Sequence, residues 1–90
     1  MSQGLYQLPN YTSLNLSMVH MIKLRPGKGL LLINSYNKPI DIVDEDEDDV
    51  SVAFKVEIEK QMASGRKWTQ SNWKAIREAV IANRTQQAAA

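Results

Sequence analysis

The chain has 90 residues, 43% of them hydrophobic and 23% charged, which is typical of one small globular domain. It contains no cysteine, which excludes disulfides, thiol nucleophiles and cysteine-based metal sites. The net charge is only +1, but residues 1–40 carry four bases and no acid, residues 41–49 seven acids and no base, and residues 50–90 seven bases and three acids. Such segregation is more informative than the net charge.

Residues 1–13 show no sustained hydrophobic period and contain Gly4, Pro9 and Asn10. We therefore predict an extended N-terminal arm, either flexible or lying over a neighbouring element. The segment has neither a basic start nor a long apolar stretch, and the longest apolar run, GLLLI, is too short to cross a membrane. We expect a cytoplasmic protein without membrane contact.

Apolar side chains alternate with other residues over residues 14–25, which predicts a half-buried β-strand. The sequence RPGKG follows and predicts a type II turn, because Pro26 fixes φ and Gly27 adopts a positive φ. The return strand LLLINSY is apolar on both sides, and after a second turn at NKP the sequence IDIV predicts a third strand.

The segment of residues 49–64 fits two structures. Apolar residues at alternate positions from Val50 to Ile58, many of them β-branched, favour a fourth strand. The competing structure is a helix, which would place acids at its N-terminus, Gly65 at its C-terminal end, and Phe54, Ile58 and Met62 on one face.

A helix is predicted through NWKAIREAVIANR, capped by Thr69 or Ser71, with Trp73, Ile76 and Val80 forming its buried stripe. The expected fold is therefore α+β: a small antiparallel meander of three or four strands with one C-terminal amphipathic helix packed on a face. Residues 14–85 form this single domain, and residues 86–90 are expected to be a frayed tail whose AAA could be a cloning scar.

The acidic run of residues 44–49 has four interpretations. As a metal loop it fails, because Asp49 and Lys55 occupy the positions where an EF-hand needs Gly and Glu. The others are a solvated turn, a site for a basic partner, and an intramolecular clamp on the chain's own basic helix. The candidate partner-binding residues are the six acids and two aromatic anchors: Asp44, Glu45, Asp46, Glu47, Asp48, Asp49, Tyr36 and Trp68.

Five basic residues precede or lie on the last helix, and with Trp68 among them they suggest phosphate binding: Arg66, Lys67, Lys74, Arg77 and Arg84. No nucleic-acid-binding motif is present, and the sequence pI of about 8.0 is below the strongly basic range. His20, the only histidine, lies on the apolar side of the first strand with no nucleophile nominated beside it.

The sequence contains no phosphate loop, no G-x-S-x-G and no H-E-x-x-H. We therefore expect no enzymatic activity, no metal and no cofactor. The main hypothesis is a small interaction protein, inhibitor-like or antitoxin-like, that presents its acidic run to a basic protein partner and forms a homodimer. The alternative is a nucleic-acid-binding regulator that uses the basic C-terminal helix.

Overall fold

The computed structural model describes residues 5–64 and 68–89, with side chains through residue 84. The predicted α+β class is confirmed, since two antiparallel sheets are combined with two helices. In chain order the elements are β1 (Tyr6–Gln7), β2 (Ser13–Leu14), a 3₁₀-helix (Leu16–Met18), β3 (Met21–Arg25), β4 (Gly29–Ile33), β5 (Pro39–Asp44), α1 (Asp48–Ala63) and α2 (Trp73–Ala89).

The larger sheet is an antiparallel meander in the order β3-β4-β5. The predicted type II turn between β3 and β4 is confirmed: Gly27 has a φ of 74°, and the Lys28 N–H donates to the Arg25 carbonyl at 2.8 Å. At Gly29 the φ is 116°, and a Cβ would lie 1.9 Å from the Val43 carbonyl oxygen. Only glycine therefore fits where β4 passes β5.

The strand predicted over residues 14–25 is divided in two. Only its second half forms β3, whereas Leu14 pairs with Tyr6 of β1 in the small sheet. Between them, Asn15 accepts a hydrogen bond from the Ser17 N–H (2.9 Å) and starts the 3₁₀-helix, because an Asn side chain offers the backbone an alternative to a sheet ladder. His20 is exposed just before β3 rather than on the buried side.

Residues 5–13, predicted as an arm, lie against the rest of the domain. Tyr6 and Leu8 are completely buried within the same hydrophobic core as the large sheet and α1. The Tyr6 ring meets the Trp73 ring edge to face, with centroids 5.9 Å apart. The N-terminal segment thus contributes to the core on which α2 packs.

The strand predicted for residues 50–59 is wrong, and the competing helix is correct. Asp48–Ala63 forms α1, so the fold has two helices rather than one. Val50, Phe54 and Ile58 are buried at helical spacing, whereas Val52 and Val56 are exposed. A strand would have placed all five on one face, so tertiary packing overrides the β-propensity of the valines.

α2 runs antiparallel to α1. The predicted stripe of Trp73, Ile76 and Val80 packs against the core, and the Trp73 and Phe54 rings meet edge to face at 5.2 Å. Asn72, rather than Thr69 or Ser71, caps α2 by accepting from the Ala75 N–H (3.0 Å). The helix continues to Ala89 rather than ending at residue 85. Among the described residues, no helix has the length and apolar character needed to span a bilayer.

Candidate binding surface at the acidic run

The acidic run, residues 44–49, connects the large sheet to α1. Asp44 is the last residue of β5, the next three residues form the bend, and Asp48 and Asp49 lie in the first turn of α1. Negative side chains are favourable there because the helix dipole places partial positive charge at its N-terminus. The run that sequence patterning assigned to a loop therefore also begins a helix.

Glu45 is the most buried acid of the run, with 6% of its side chain exposed. One carboxylate oxygen forms an ion pair with the Arg77 guanidinium of α2, and the other accepts the Glu47 N–H at 3.0 Å. Its own N–H donates to the Lys28 carbonyl at 3.1 Å. Glu45 thus joins the sheet, the start of α1 and α2 at one point.

Arg84 forms a second ionic contact seven residues, or about two turns, further along α2. Its guanidinium donates to both carboxylate oxygens of Asp49 and to Glu47 Oε2, the last at 3.1 Å. The Arg84 hydrogen bond lowers the pKa of Asp49, and the same carboxylates raise the pKa of Arg84. Two arginines of α2 therefore hold three of the six acids, which is the geometry of the intramolecular clamp.

The other three acids differ in their surroundings. Asp48 Oδ1 accepts the Gly27 N–H at 2.7 Å and so ties the β3–β4 turn to α1. Asp44 and Asp46 are exposed, and neither carboxylate has a hydrogen-bonding or ion-pairing partner within the described residues. The six carboxylates outnumber the two guanidinium groups that contact them by four, and the adjoining β3–β4 turn adds the bases Arg25 and Lys28.

The predicted aromatic anchors do not lie beside the acidic run. Tyr36 is 82% exposed in the turn before β5, and the six residues of β5 separate it from Asp44 by about 17 Å. Trp68 follows the far end of α1, a helix of 16 residues and about 24 Å, and packs partly buried against the core.

The basic residues proposed for nucleic-acid binding do not form one free surface. Arg77 and Arg84 are engaged by the acidic run, and Lys74 is exposed beside an open groove of about 420 Å³ that Tyr11 and Trp73 also line. Arg66 and Lys67 lie outside the described residues. In the described part of the chain, no three acidic or histidine side chains are arranged to hold a metal ion.

Sequence analysis missed a chain of polar contacts at the other end of the helices. Ser71 donates from Oγ to Glu57 Oε2 at 2.6 Å, so the Tyr6 hydroxyl, 2.5 Å from Ser71 Oγ, is the donor of that pair. Gln61 also reaches Glu57 (3.1 Å) and accepts the Thr69 N–H at 3.0 Å. No single period marks these residues, because they come from three segments: β1, α1 and the segment before α2.

The electrostatics of this polar chain follow from its burial and its hydrogen bonds. Burial raises the pKa of Tyr6 to about 12, with a smaller contribution from the negative charge of Glu57. The Ser71 hydrogen bond lowers the pKa of Glu57, which makes its carboxylate a poor base toward Ser71. The contacts fasten the segment before α2 to α1 and to the N-terminal strand.

Comparison with known proteins gives no family model, no curated protein and no solved structure that matches this chain. Its function is therefore argued from its own geometry.

Proposed function

We propose that the chain is a small, non-enzymatic interaction module that binds a basic protein segment through the exposed carboxylates of the acidic run. The observation that carries the proposal is that the six carboxylates of the run outnumber the guanidinium groups that contact them by four, with Asp44 and Asp46 exposed beside acids already paired with arginine. Charge of one sign concentrated on one surface steers an oppositely charged partner and raises its association rate.

The chain itself indicates which chemical group the acidic run accepts. Arg84 binds Asp49 through two parallel hydrogen bonds and reaches Glu47 with a third. Bidentate pairing of this kind is specific to the planar guanidinium group and is stronger than contact with a point charge. We therefore infer that the partner presents arginine, and that its side chains occupy the remaining carboxylates at Asp44 and Asp46.

The run is also preorganised, which favours binding. Asp48 is fixed to the β3–β4 turn through the Gly27 N–H (2.7 Å), and Glu45 is fixed to α2 through Arg77. Because these contacts already hold the backbone, little additional ordering is required when a partner arrives.

The test compares binding of a fluorescent oligoarginine peptide by wild type and by the double variant Asp44→Asn/Asp46→Asn. Neutralising the whole run is unsuitable, because Glu45, Glu47 and Asp49 hold α2. The control is Glu59→Gln/Glu78→Gln, which also removes two negative charges from exposed positions on the helices; Glu59 lies near the C-terminal end of α1, where it pairs with Lys55.

We expect the Asp44/Asp46 variant to bind about tenfold more weakly at low salt, since each exposed charge contributes up to about 1 kcal/mol, while the control variant loses much less. Equal losses in both variants would mean that the peptide senses only net charge, and the proposal would be wrong. An increase in peptide affinity in the Asp44/Asp46 variant would contradict it outright.

The nucleic-acid alternative is tested in the same experiment with random DNA and RNA in place of the peptide. Wild-type binding that falls steeply with salt would support it, since each phosphate contact releases counterions. Lys74→Gln should then weaken binding, because Lys74 is the exposed base of the five within the described residues.

A further inference from the structure

One face of the large sheet lies on the core and the other is left open by both helices. Ile22, Leu30, Leu32 and Val43 belong to the buried core on the inner face, which α1 contacts. The opposite side chains belong to what we term the open face. By register it consists of three rows across the strands: Arg25–Gly29–Asp44, Lys23–Leu31–Ile42 and Met21–Ile33–Pro39.

The open face has an apolar middle and oppositely charged sides. Met21 is 40% exposed, Ile42 is 43% exposed and Leu31 is partly buried, whereas Ile33 in the third row is buried, with 4% exposed, and adds little accessible surface. Lys23 and Arg25 lie on the β3 side, and Asp44 lies on the β5 side. An antiparallel sheet with one hydrated face normally carries alternating polar residues there, so this apolar middle is a departure from that pattern.

We propose that the open face binds the open face of a second copy of this chain, with the two-fold axis parallel to the strands. That rotation exchanges the β3 and β5 sides but keeps each row opposite itself. Arg25 of one copy then faces Asp44 of the other, twice in the dimer, and Leu31 meets Leu31.

The same charges disfavour the other symmetric arrangement. A two-fold axis perpendicular to the strands would place each strand opposite itself and so bring Lys23 against Lys23. Like charges in direct opposition destabilise an interface. Arg25 and Asp44 would also lose each other as partners, because the first row would then face the third. The distribution of charge on the open face therefore selects one of the two dimers.

The area of the open face determines how stable the dimer is expected to be. Three strands about 4.8 Å apart and five residues long cover a footprint of roughly 10 by 17 Å at the backbone. This is small compared with the roughly 800 Å² per partner buried in stable complexes. We therefore expect a dimer that dissociates in the micromolar range or above, and that is observed at high protein concentration.

The first experiment is sedimentation equilibrium of the full chain from about 1 µM to about 1 mM, in the absence of any peptide. Wild type is expected to shift from a monomer of 10.2 kDa toward twice that mass. Leu31→Glu should remain monomeric throughout, since it places like charges at the centre of the interface. The control Val52→Glu introduces the same charge at an exposed valine of α1 and should dimerise like wild type.

The second experiment is a charge exchange between Arg25 and Asp44. Arg25→Asp and Asp44→Arg should each weaken dimerisation at least tenfold, because each creates two like-charged pairs. The double variant restores opposite charges across the two-fold axis and should recover most of the wild-type affinity. Far-UV circular dichroism confirms that each variant is folded. A general effect of charge would not produce this recovery, because the recovery requires that the two residues contact each other across the two-fold axis.

Three outcomes would overturn the proposal: a wild type that is monomeric up to 1 mM, a dimer that survives Leu31→Glu, or a double charge variant no better than its parents. A dimer that survives Leu31→Glu would instead indicate edge pairing through β3. Because no basic peptide is present, none of these outcomes depends on whether the acidic run binds one.

Discussion

Gly29 is the position at which a single methyl group should disturb the fold most. Its φ of 116° lies in a region that residues with a side chain rarely adopt. An added Cβ would lie 1.9 Å from the Val43 carbonyl oxygen and 2.7 Å from the Glu45 nitrogen, both of them backbone atoms. Neither neighbour can turn aside as the end of a flexible side chain would, so Gly29→Ala must shift β4 relative to β5.

Two effects contribute to the expected loss of stability. The unfavourable backbone conformation costs about 1–3 kcal/mol, and displacing packed atoms costs about 1–3 kcal/mol more. We therefore expect Gly29→Ala to lower the free energy of unfolding by about 4 kcal/mol. The total for a domain is about 5–15 kcal/mol, so the variant keeps about 1–11 kcal/mol and is close to unfolding at 25 °C at the lower end of that range.

The assay is urea denaturation followed by circular dichroism, with Gly27→Ala as the matched control. Gly27 also has a positive φ, 74°, but a Cβ there would meet nothing within 4 Å. Its replacement should cost only about 1 kcal/mol. With a urea dependence of about 1 kcal/mol per molar, the two midpoints should differ by about 3 M. Equal midpoints would refute the argument that the close approach to Val43 and Glu45 requires glycine.

Three further predictions concern single contacts. The pKa of Tyr6 is raised from 10 to about 12, so its stabilising contribution is complete below pH 10 and is lost as pH rises through about 12. Above that pH wild type should have lost about 3 kcal/mol that Tyr6→Phe does not lose, with Tyr36→Phe behaving as wild type in alkaline denaturation. Asp48→Ala should cost about 1–2 kcal/mol in urea denaturation because it removes the bond to the Gly27 N–H, whereas Asp46→Ala should be nearly neutral. Arg84→Gln should destabilise the domain at pH 7, and the difference from wild type should decrease as pH falls from the ordinary carboxyl range through the lowered pKa of Asp49, because the ion pair exists only while that carboxylate is charged. Lys74→Gln is the control, and a difference that stays constant while Asp49 is protonated would contradict the ion pair.

The sequence predicted the meander well because each of its signals is local. Pro26 and Gly27 define the turn through their own backbone preferences, and the alternating IDIV predicts a strand, which β5 confirms. The segment of α1 could not be decided in this way, since Val50, Phe54 and Ile58 satisfy both a period of two and a helical spacing of four. The strand and the helix differ in whether Val52 and Val56 are exposed, and that depends on how α2 and the sheet pack in the complete fold.

The candidate site was predictable in composition but not in its contacts. Charge counting located the acidic run and the basic helix, and the clamp between them was among the interpretations. Charge counting could not pair Glu45 with Arg77, because 32 residues separate them. Only the antiparallel packing of α2 on α1 brings these two residues together. The aromatic anchors failed to join the run for the same reason: Tyr36 is near in sequence, but β5 carries it away.

The clamp also determines how much of the acidic run a partner can use. Glu45, Glu47 and Asp49 hold α2 in place, so neutralising them would disturb the helix as well as the surface. Asp48 holds the β3–β4 turn through Gly27, so within the described residues only Asp44 and Asp46 have carboxylates without a partner, and Asp44 also closes the charged row of the open face. A second copy that pairs with Asp44 would therefore compete with a basic partner for the same carboxylate. If both proposals hold, raising the protein concentration should reduce the amount of oligoarginine peptide bound per chain. Leu31→Glu should abolish this dependence on protein concentration, and it leaves Asp44 and Asp46 unchanged.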